Sequence, residues 1–284
     1  MTRLITADII NIAANLKNYD IELVARTGYS LSGIACCASG IDEAQIKNLL
    51  PEIRVGVIPI SSGKGIIGGF GDAVLSILLH MGCNALITRT TDVAGIAESF
   101  EEKADIIMLA NDERFVALDI RSRSIADNAV CTGQAYATGL SLMAGGLKGR
   151  EVLVIGCGPV GRSATESLIR MGARVSVYDI HIEPSNELLK TIGHTVDTKI
   201  QVVKTLDPAL QRHQFFIDAS PARDIIHAHH IRPDTYVSAP GIPCGLDAEA
   251  QDRLSSRFLQ DPLQLGVATM LVSAAKYHFA ERQE

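Results

Sequence analysis

The chain has 284 residues, 47% hydrophobic and 20% charged, with a net charge of −6 and no tryptophan. That length holds one large or two modest domains, each able to bury its own core. Mild acidity without a Lys/Arg block argues against a nucleic-acid footprint, and no apolar run approaches the roughly 20 residues of a membrane span. The start, MTRLITADIINIAANL, is interrupted by Thr6, Asp8 and Asn11 and lacks a signal-peptide core. The six cysteines, at 36, 37, 83, 131, 157 and 244, form no CxxC pair. Reduced structural thiols in a cytoplasmic protein are therefore the expectation.

In chain order, a helical start (roughly 7–25) is followed by a second short helix, 31–39, which carries the vicinal Cys36–Cys37 as helix packing. "RVGVIPI" (54–60) is almost continuously apolar, as in a parallel strand covered on both faces. The glycine-rich "SSGKGIIGGFG" then opens the helix "DAVLSILLHMG". The strand "NALITRT", the helix "DVAGIAESFEEK" with Asp92 as its N-cap, and the strand "DIIMLAND" complete a βαβαβ unit. "RFVALDIRSRSIAD" makes two short strands around a turn at 121–124.

A long helix rich in small residues, 129–144, stops at Gly145-Gly146. It connects two expected domains: a helical and α/β substrate-binding domain at 1–145, and a Rossmann domain at 146–284. The second alternation has strands "EVLVIG", "RVSVYD", a short one around "HTVD" (194–197), "QFFIDAS" and "TYVSAPG". A final helix, 266–280, is expected to pack back on the first domain. The predicted fold is α/β, with a C-terminal doubly wound parallel sheet.

The sharpest motif is "VLVIGCGPVGRSATESLIRMGARVSVYD", a strand, a glycine turn, a helix and a second strand ending in an acid. Gly156 permits the tight turn, Gly158 lets the backbone approach a pyrophosphate, and Gly161 lets helix and strand pack closely. Gly156, Cys157, Gly158, Pro159, Val160 and Gly161 are thus the expected phosphate cradle. Asp179, 18 residues after Gly161, is placed for the adenosine ribose. Ile180 and His181 follow it with no arginine to hold a 2′-phosphate, which favours NAD over NADP. Later strand ends place Ser220, Pro240 and Gly241 beside the nicotinamide, unless they serve turns alone.

Substrate chemistry is expected from first-domain strand ends. Ser61 and Ser62 offer hydroxyls and N–H groups suited to a carboxylate, and "TRTTDV" follows the second strand. Asp112, in "NDER" after the third strand, is the candidate catalytic acid, able to bind an amine or take a proton from it. It could equally be a turn residue. Lys64, in a glycine loop, is read as solvated. "HAHH" (227–230) resembles a helix start more than a metal site, and no metal is expected.

Substrate domain before cofactor domain is an order that resembles amino-acid, shikimate and methylene-tetrahydrofolate dehydrogenases. The segments "VIPISSGKGIIGGF", "TTDVAGIAE", "ADIIMLANDERFVALD" and "DNAVCTGQAYATGLSLMAGGLKGREVLVIGCGPVGR" are more particular. They resemble the PylD family of pyrrolysine biosynthesis over most of the chain. That resemblance implies a substrate of 3-methylornithine joined through its carboxyl to the ε-nitrogen of lysine. NAD⁺ would oxidise the carbon bearing the terminal amine, ammonia would depart, and a pyrroline ring would close to give pyrrolysine. Leu4, with the helix it begins as a lid, joins Ser61, Ser62 and Asp112 in the expected substrate site. The competing readings are an ordinary amino- or hydroxy-acid dehydrogenase without ring closure, and an NAD-binding scaffold without turnover. The helix 72–82 or the strands near 115–125 would serve a homodimer, although each has an ordinary core role.

Overall fold

The computed structural model describes residues 4–193, 200–276 and 278. Four helices come first: α1 (Thr6–Ile9), α2 (Ile12–Thr27), α3 (Leu31–Ser39) and α4 (Glu43–Leu49). The single helix expected over 7–25 is thus divided at Ile10–Asn11. α2 stops at Gly28, whose φ of 79° is left-handed and suits a glycine. Ser30 then caps α3, its Oγ accepting the Gly33 N–H at 3.1 Å.

The first sheet follows: β1 (Arg54–Ile58), α5 (Phe70–His80), β2 (Asn84–Ile87), α6 (Asp92–Glu101), β3 (Ile106–Ala110), β4 (Phe115–Asp119) and β5 (Ile125–Asp127). Its strand order is β2-β1-β3-β4-β5. The first three strands are parallel, and β4 and β5 return antiparallel. The N-cap of α6 is Thr91, not Asp92 as expected. Asp92 is the first helical residue, at φ 55°, and its carboxylate is taken by Ser61 instead.

α7 (Asn128–Met143) leads to the second sheet. There, β6 (Glu151–Ile155), α8 (Pro159–Arg170), β7 (Arg174–Tyr178), α9 (Ile182–Gly193) and β8 (Gln201–Val202) form one half. The other half is α10 (Leu206–Arg212), β9 (Phe215–Asp218), β10 (Tyr236–Ser238), α11 (Ala248–Leu254) and β11 (Phe258–Leu259), before the terminal α12 (Gln264–Ala275). The order β8-β7-β6-β9-β10-β11, all parallel, is the doubly wound Rossmann arrangement. The strand expected around 194–197 lies outside the described residues.

The two sheets are joined by helices rather than by a bare linker. α7 packs on α8 and also on α3 and α12. Gly133 makes the α7–α8 approach possible, since a Cβ there would lie 2.7 Å from the Ala164 backbone nitrogen. α12 is apolar all round, and its side chains are nearly all buried against α3, α5, α7 and the β4–β5 edge. The apolar face of α5 is likewise buried, against α2 and α12. No helix among the described residues is long and apolar enough to cross a membrane.

Candidate active site

In an open parallel sheet a ligand lies beyond the carboxyl ends of the strands, where the strand order reverses direction. Both sheets have such a point, between β1 and β3 in the first and between β6 and β9 in the second. The loops leaving these four strands face one another across a cleft of about 760 Å³. Pro59, Ile60, Asn111 and Asp112 line it from one side; Gly156, Gly158, Ala219 and Ser220 line it from the other. The volume falls within the range of sites that enclose small organic ligands.

On the Rossmann side, the chain turns at Gly156, φ 89°, and α8 begins at Pro159 with Gly158 at the N-cap. A Cβ on Gly158 would meet nothing within 4 Å, whereas one on Gly161 would overlap the Gly156 carbonyl oxygen. Gly158 therefore borders open space at a helix N-terminus, suited to a pyrophosphate, and Gly161 is a packing glycine. Gly161 and Cys157 do not line the cleft. Cys157 is buried with its thiol 3.3 Å from Ser185 Oγ, and burial raises its pKa, so it is a structural thiol. Asp179 does line the cleft. One carboxylate oxygen accepts the Cys157 N–H at 2.8 Å and the other the His181 N–H at 3.1 Å, so the acid also braces the glycine turn. Each oxygen keeps acceptor capacity for a ribose hydroxyl.

Ser220, Pro240 and Gly241 all reach the cleft. They are held by Asp218, which is fully buried at the end of β9. Its carboxylate accepts the Ser220 hydroxyl at 2.7 Å and the Gly245 N–H at 3.1 Å, while its carbonyl accepts the Gly241 N–H at 2.8 Å. Burial pushes its pKa up to about 6, against the pull of those hydrogen bonds.

On the first-sheet side, Asp112 and Leu4 line the cleft, but Ser61 and Ser62 do not. Both serines are exposed, and Ser61 Oγ donates to Asp92 at 2.6 Å. The loop presents Gly65, Ile66 and Ile67 to the cleft in their place. Asp112 accepts the Lys64 N–H at 2.7 Å, which ties this loop to the end of β3. Its own loop is fixed by Asn111, whose Oδ1 accepts the N–H groups of Glu113 and Arg114, and by the Arg114–Asp127 pair at 2.9 Å.

The neighbouring "TRTT" turn is organised by Glu98 on α6. Its carboxylate accepts from the Arg89 N–H (3.0 Å), the Thr90 N–H (2.9 Å) and the Thr90 hydroxyl (2.7 Å). These bonds, led by the Arg89 N–H, pull its pKa down to about 2. A lowered carboxylate pKa means stability present above about pH 4.5 and lost as pH falls toward 2. Thermal denaturation at a series of acidic pH values should accordingly show a shallower loss of Tm for Glu98→Gln than for the wild type. Equal slopes would show that this carboxylate contributes nothing to the acid sensitivity.

Four acids line the cleft, Asp72, Asp112, Asp179 and Asp261, and no Lys, Arg or His does among the described residues. Asp261 is structural. It accepts the Tyr19 hydroxyl at 2.6 Å and the Leu263 and Leu265 N–H groups at the start of α12, and its backbone exchanges two hydrogen bonds with the Tyr136 hydroxyl. Asp72 lies in the first turn of α5, where peptide dipoles favour an acid. The polar residues Asn128, Thr132 and Tyr136 of α7 also reach the cleft, although the sequence reading treats that helix as a connector. Their spacing of four residues, one stripe in an Ala/Gly/Leu-rich helix, is the signal that marks them.

The histidines of 227–230 sit away from the cleft, on a short 3₁₀ turn at Ala228–His230. Asp207, His229 and His230 bring their ligand atoms within 4.8 Å of one another. His230 Nδ1 faces the His227 N–H at 3.0 Å, which puts the ring proton on Nε2, 2.8 Å from Asp207. That arrangement ties the 3₁₀ turn to Asp207 in the first turn of α10, and a cation there would have to displace the proton.

A doubly wound sheet with a glycine cradle, opposed by a second sheet whose strand ends close the same cleft, defines a nicotinamide-dependent dehydrogenase. Over 78% of its length the chain superposes on quinate dehydrogenase from Corynebacterium glutamicum, solved in complex with NAD, at a TM-score of 0.54 and 13% identity, covering 92% of that chain. Residues 127–228 match the C-terminal domain of alanine dehydrogenase/PNT, and residues 8–126 match the N-terminal domain of pyrrolysine biosynthesis protein PylD. The chain is 30% identical over 276 residues to pyrrolysine synthase from Methanosarcina barkeri (96% of this chain, 98% of that protein). It is also 30% identical to that of Methanosarcina acetivorans (96% and 99%). The chain belongs to the PylD, or pyrrolysine synthase, family, and it is an oxidoreductase.

Proposed function

We propose that this protein is an NAD-dependent dehydrogenase that converts L-lysine-Nε-3-methyl-D-ornithine into pyrrolysine. Residues 1–145 would supply the substrate-binding part and 146–284 the cofactor-binding part, in the cytoplasm. The observation that carries the reading is the charge of the cleft, with Asp112 at a strand end and no basic side chain in the lining among the described residues. Such a lining suits a substrate with several amines and leaves a carboxylate to be held by N–H groups and neutral side chains.

Bound NAD⁺ would supply the two-electron oxidation, so that amine-bearing carbon and nitrogen together lose a hydride and a proton. The chain's own part is to bind and place the substrate. Asp112 faces the amine and can hold the proton it must lose. The apolar remainder, with Ile60, Ile66, Phe70 and Leu4, excludes water from the imine and limits wasteful hydrolysis. The substrate's α-amine then adds to the imine carbon, ammonia leaves, and the five-membered ring retains one C=N bond. The balance is substrate plus NAD⁺ giving pyrrolysine, NADH and ammonium.

Incubating the purified protein with NAD⁺ and this substrate should yield NADH by near-ultraviolet absorbance and a product lighter by ammonia and two hydrogens. NADH with a keto or aldehyde product of another mass would point to an ordinary dehydrogenase. The assignment of NAD rests on Asp179 at the end of β7 with no arginine after it. Asp179→Ala should raise the KM for NAD⁺ about tenfold or more, by loss of charge-assisted bonds, with the KM for the amine substrate nearly unchanged. A parallel rise in both constants would assign Asp179 to general loop order.

A further inference from the structure

The floor of the cleft carries a polar pair for which the chemistry above has no use. Asn128 and Thr132 stand one turn apart on α7, and both line the cleft. Asn128 is only 8% exposed. Its Nδ2 donates to Met270 Sδ at 3.3 Å. A thioether offers lone pairs and no proton, so this contact orients the carboxamide with nitrogen toward Met270 and leaves Oδ1 on the other side. Neither Asn128 Oδ1 nor the Thr132 hydroxyl has a hydrogen-bond partner among the described residues.

The pair is kept open by the neighbouring helix α12. A Cβ on Gly266 of α12 would lie 2.6 Å from Thr132 Oγ1 and 2.7 Å from Asn128 Nδ2, so glycine there lets α12 pack against α7 without covering the pair. Its position is set from both sides. Asp127 caps α7 by accepting the Ala129 N–H at 2.9 Å, and its other oxygen holds Arg114 of the Asp112 loop. One turn beyond Asn128, Gly133 abuts Val160 and Ala164 of the cofactor helix. Asn128 thus lies on α7 between a residue tied to the Asp112 loop and one packed on the cofactor helix, and it lines the same cleft as Asp112, Gly156 and Gly158.

We infer that Asn128 and Thr132 form an uncharged acceptor pair that grips the reacting amine, an inference that rests on the amine-oxidising function proposed above. Hydride leaves the carbon only when the nitrogen is a free base with its lone pair available. A carboxylate alone would hold the ammonium form, because an opposite charge favours it. A carboxamide oxygen and a hydroxyl oxygen accept N–H bonds without that bias. Asp112 can then take the proton while the neutral pair keeps the free amine oriented. The titratable groups facing this spot are Asp112, Asp72, Asp261 with its partners Tyr19 and Tyr136, and Cys131 on α7 itself, with the Asp127–Arg114 pair beside them.

The test compares wild type, Asn128→Asp, Asn128→Ala and Thr132→Val, each with saturating NAD⁺ and lysine-Nε-3-methylornithine, recording kcat against pH. In Asn128→Asp the acidic limb should move upward by about one pH unit or more, with kcat near neutrality down about tenfold. Asn128→Ala and Thr132→Val should lower kcat without moving the limb, and in all three Tm and NADH affinity should stay near wild type. An unmoved limb in Asn128→Asp with kcat within about twofold of wild type would overturn the inference. So would losses of kcat in all variants that merely track losses of Tm and NADH binding. No NADH from wild type under these conditions would instead overturn the amine reading itself, and the pair's role with it.

Discussion

Gly161→Ala is expected to weaken cofactor binding strongly and to destabilise the fold, whereas Gly158→Ala is expected to do only the first. The two glycines share one motif and face opposite constraints. A methyl at 161 would overlap the Gly156 carbonyl oxygen, which is backbone and cannot rotate away. Forcing α8 off β6 should cost about 1–3 kcal/mol, as for overpacked cores, and lower Tm by about 5 °C. Distorting the turn at the same time should weaken NADH binding on the order of 100-fold. At 158 the backbone has an ordinary φ of −67° and the added methyl meets nothing in the protein. It would occupy only the space into which a pyrophosphate must come. Titration of NADH fluorescence beside thermal melts separates the cases. Full NADH affinity in Gly158→Ala would mean that the cofactor does not lie against this turn.

Asp112→Ala should reduce kcat/KM for the amine substrate by about 10²–10³, the loss typical of removing a positioned acid or base, with NADH affinity unchanged. Because Asp112 also accepts the Lys64 N–H, a purely structural role would produce some of that loss. Replacement by asparagine separates the two: in Asp112→Asn the acceptor oxygen for Lys64 is retained and the charge is removed. If the carboxylate takes the proton, Asp112→Asn should be nearly as impaired as Asp112→Ala. Recovery of most of the activity in Asp112→Asn would reduce Asp112 to a brace for the glycine-rich loop.

Much of this arrangement is legible in the residues, and what is not has physical causes. The strand–glycine turn–helix unit at 151–179 is legible because strand, turn, helix and acid lie within one contiguous stretch, and Gly156 and Gly161 answer local steric demands. Asp112 is visible as an acid at a strand end, and strand ends are where open α/β sheets hold ligands. Ser61 and Ser62 stand outside the cleft lining, and composition does not say which side of a loop faces inward. Asp92, at a left-handed φ, draws Ser61 outward and leaves the loop's glycines and isoleucines to line the cleft. Asn128 and Thr132 are hidden by their helix, whose small residues read as packing. Only contact with α12, more than 130 residues later, shows that packing ends at Gly266 and leaves two oxygens uncovered. Asp261 is opaque for the same reason, since its partners, the half-buried Tyr19 and the buried Tyr136, come from distant helices.

The most direct test of the account uses the substrate with heavy nitrogen placed only at the ornithine terminal amine. After incubation with the protein and NAD⁺, the ammonium released should carry the label, and the ring-closed product should have lost it while NADH accumulates in equal amount. If the released ammonium is unlabelled and the product keeps its heavy nitrogen, oxidation has occurred at an α-carbon instead. The cleft would then be that of an ordinary amino-acid dehydrogenase, and pyrrolysine would be ruled out as the product, since any ring closed by the terminal amine on an oxidised α-carbon is an isomer of it.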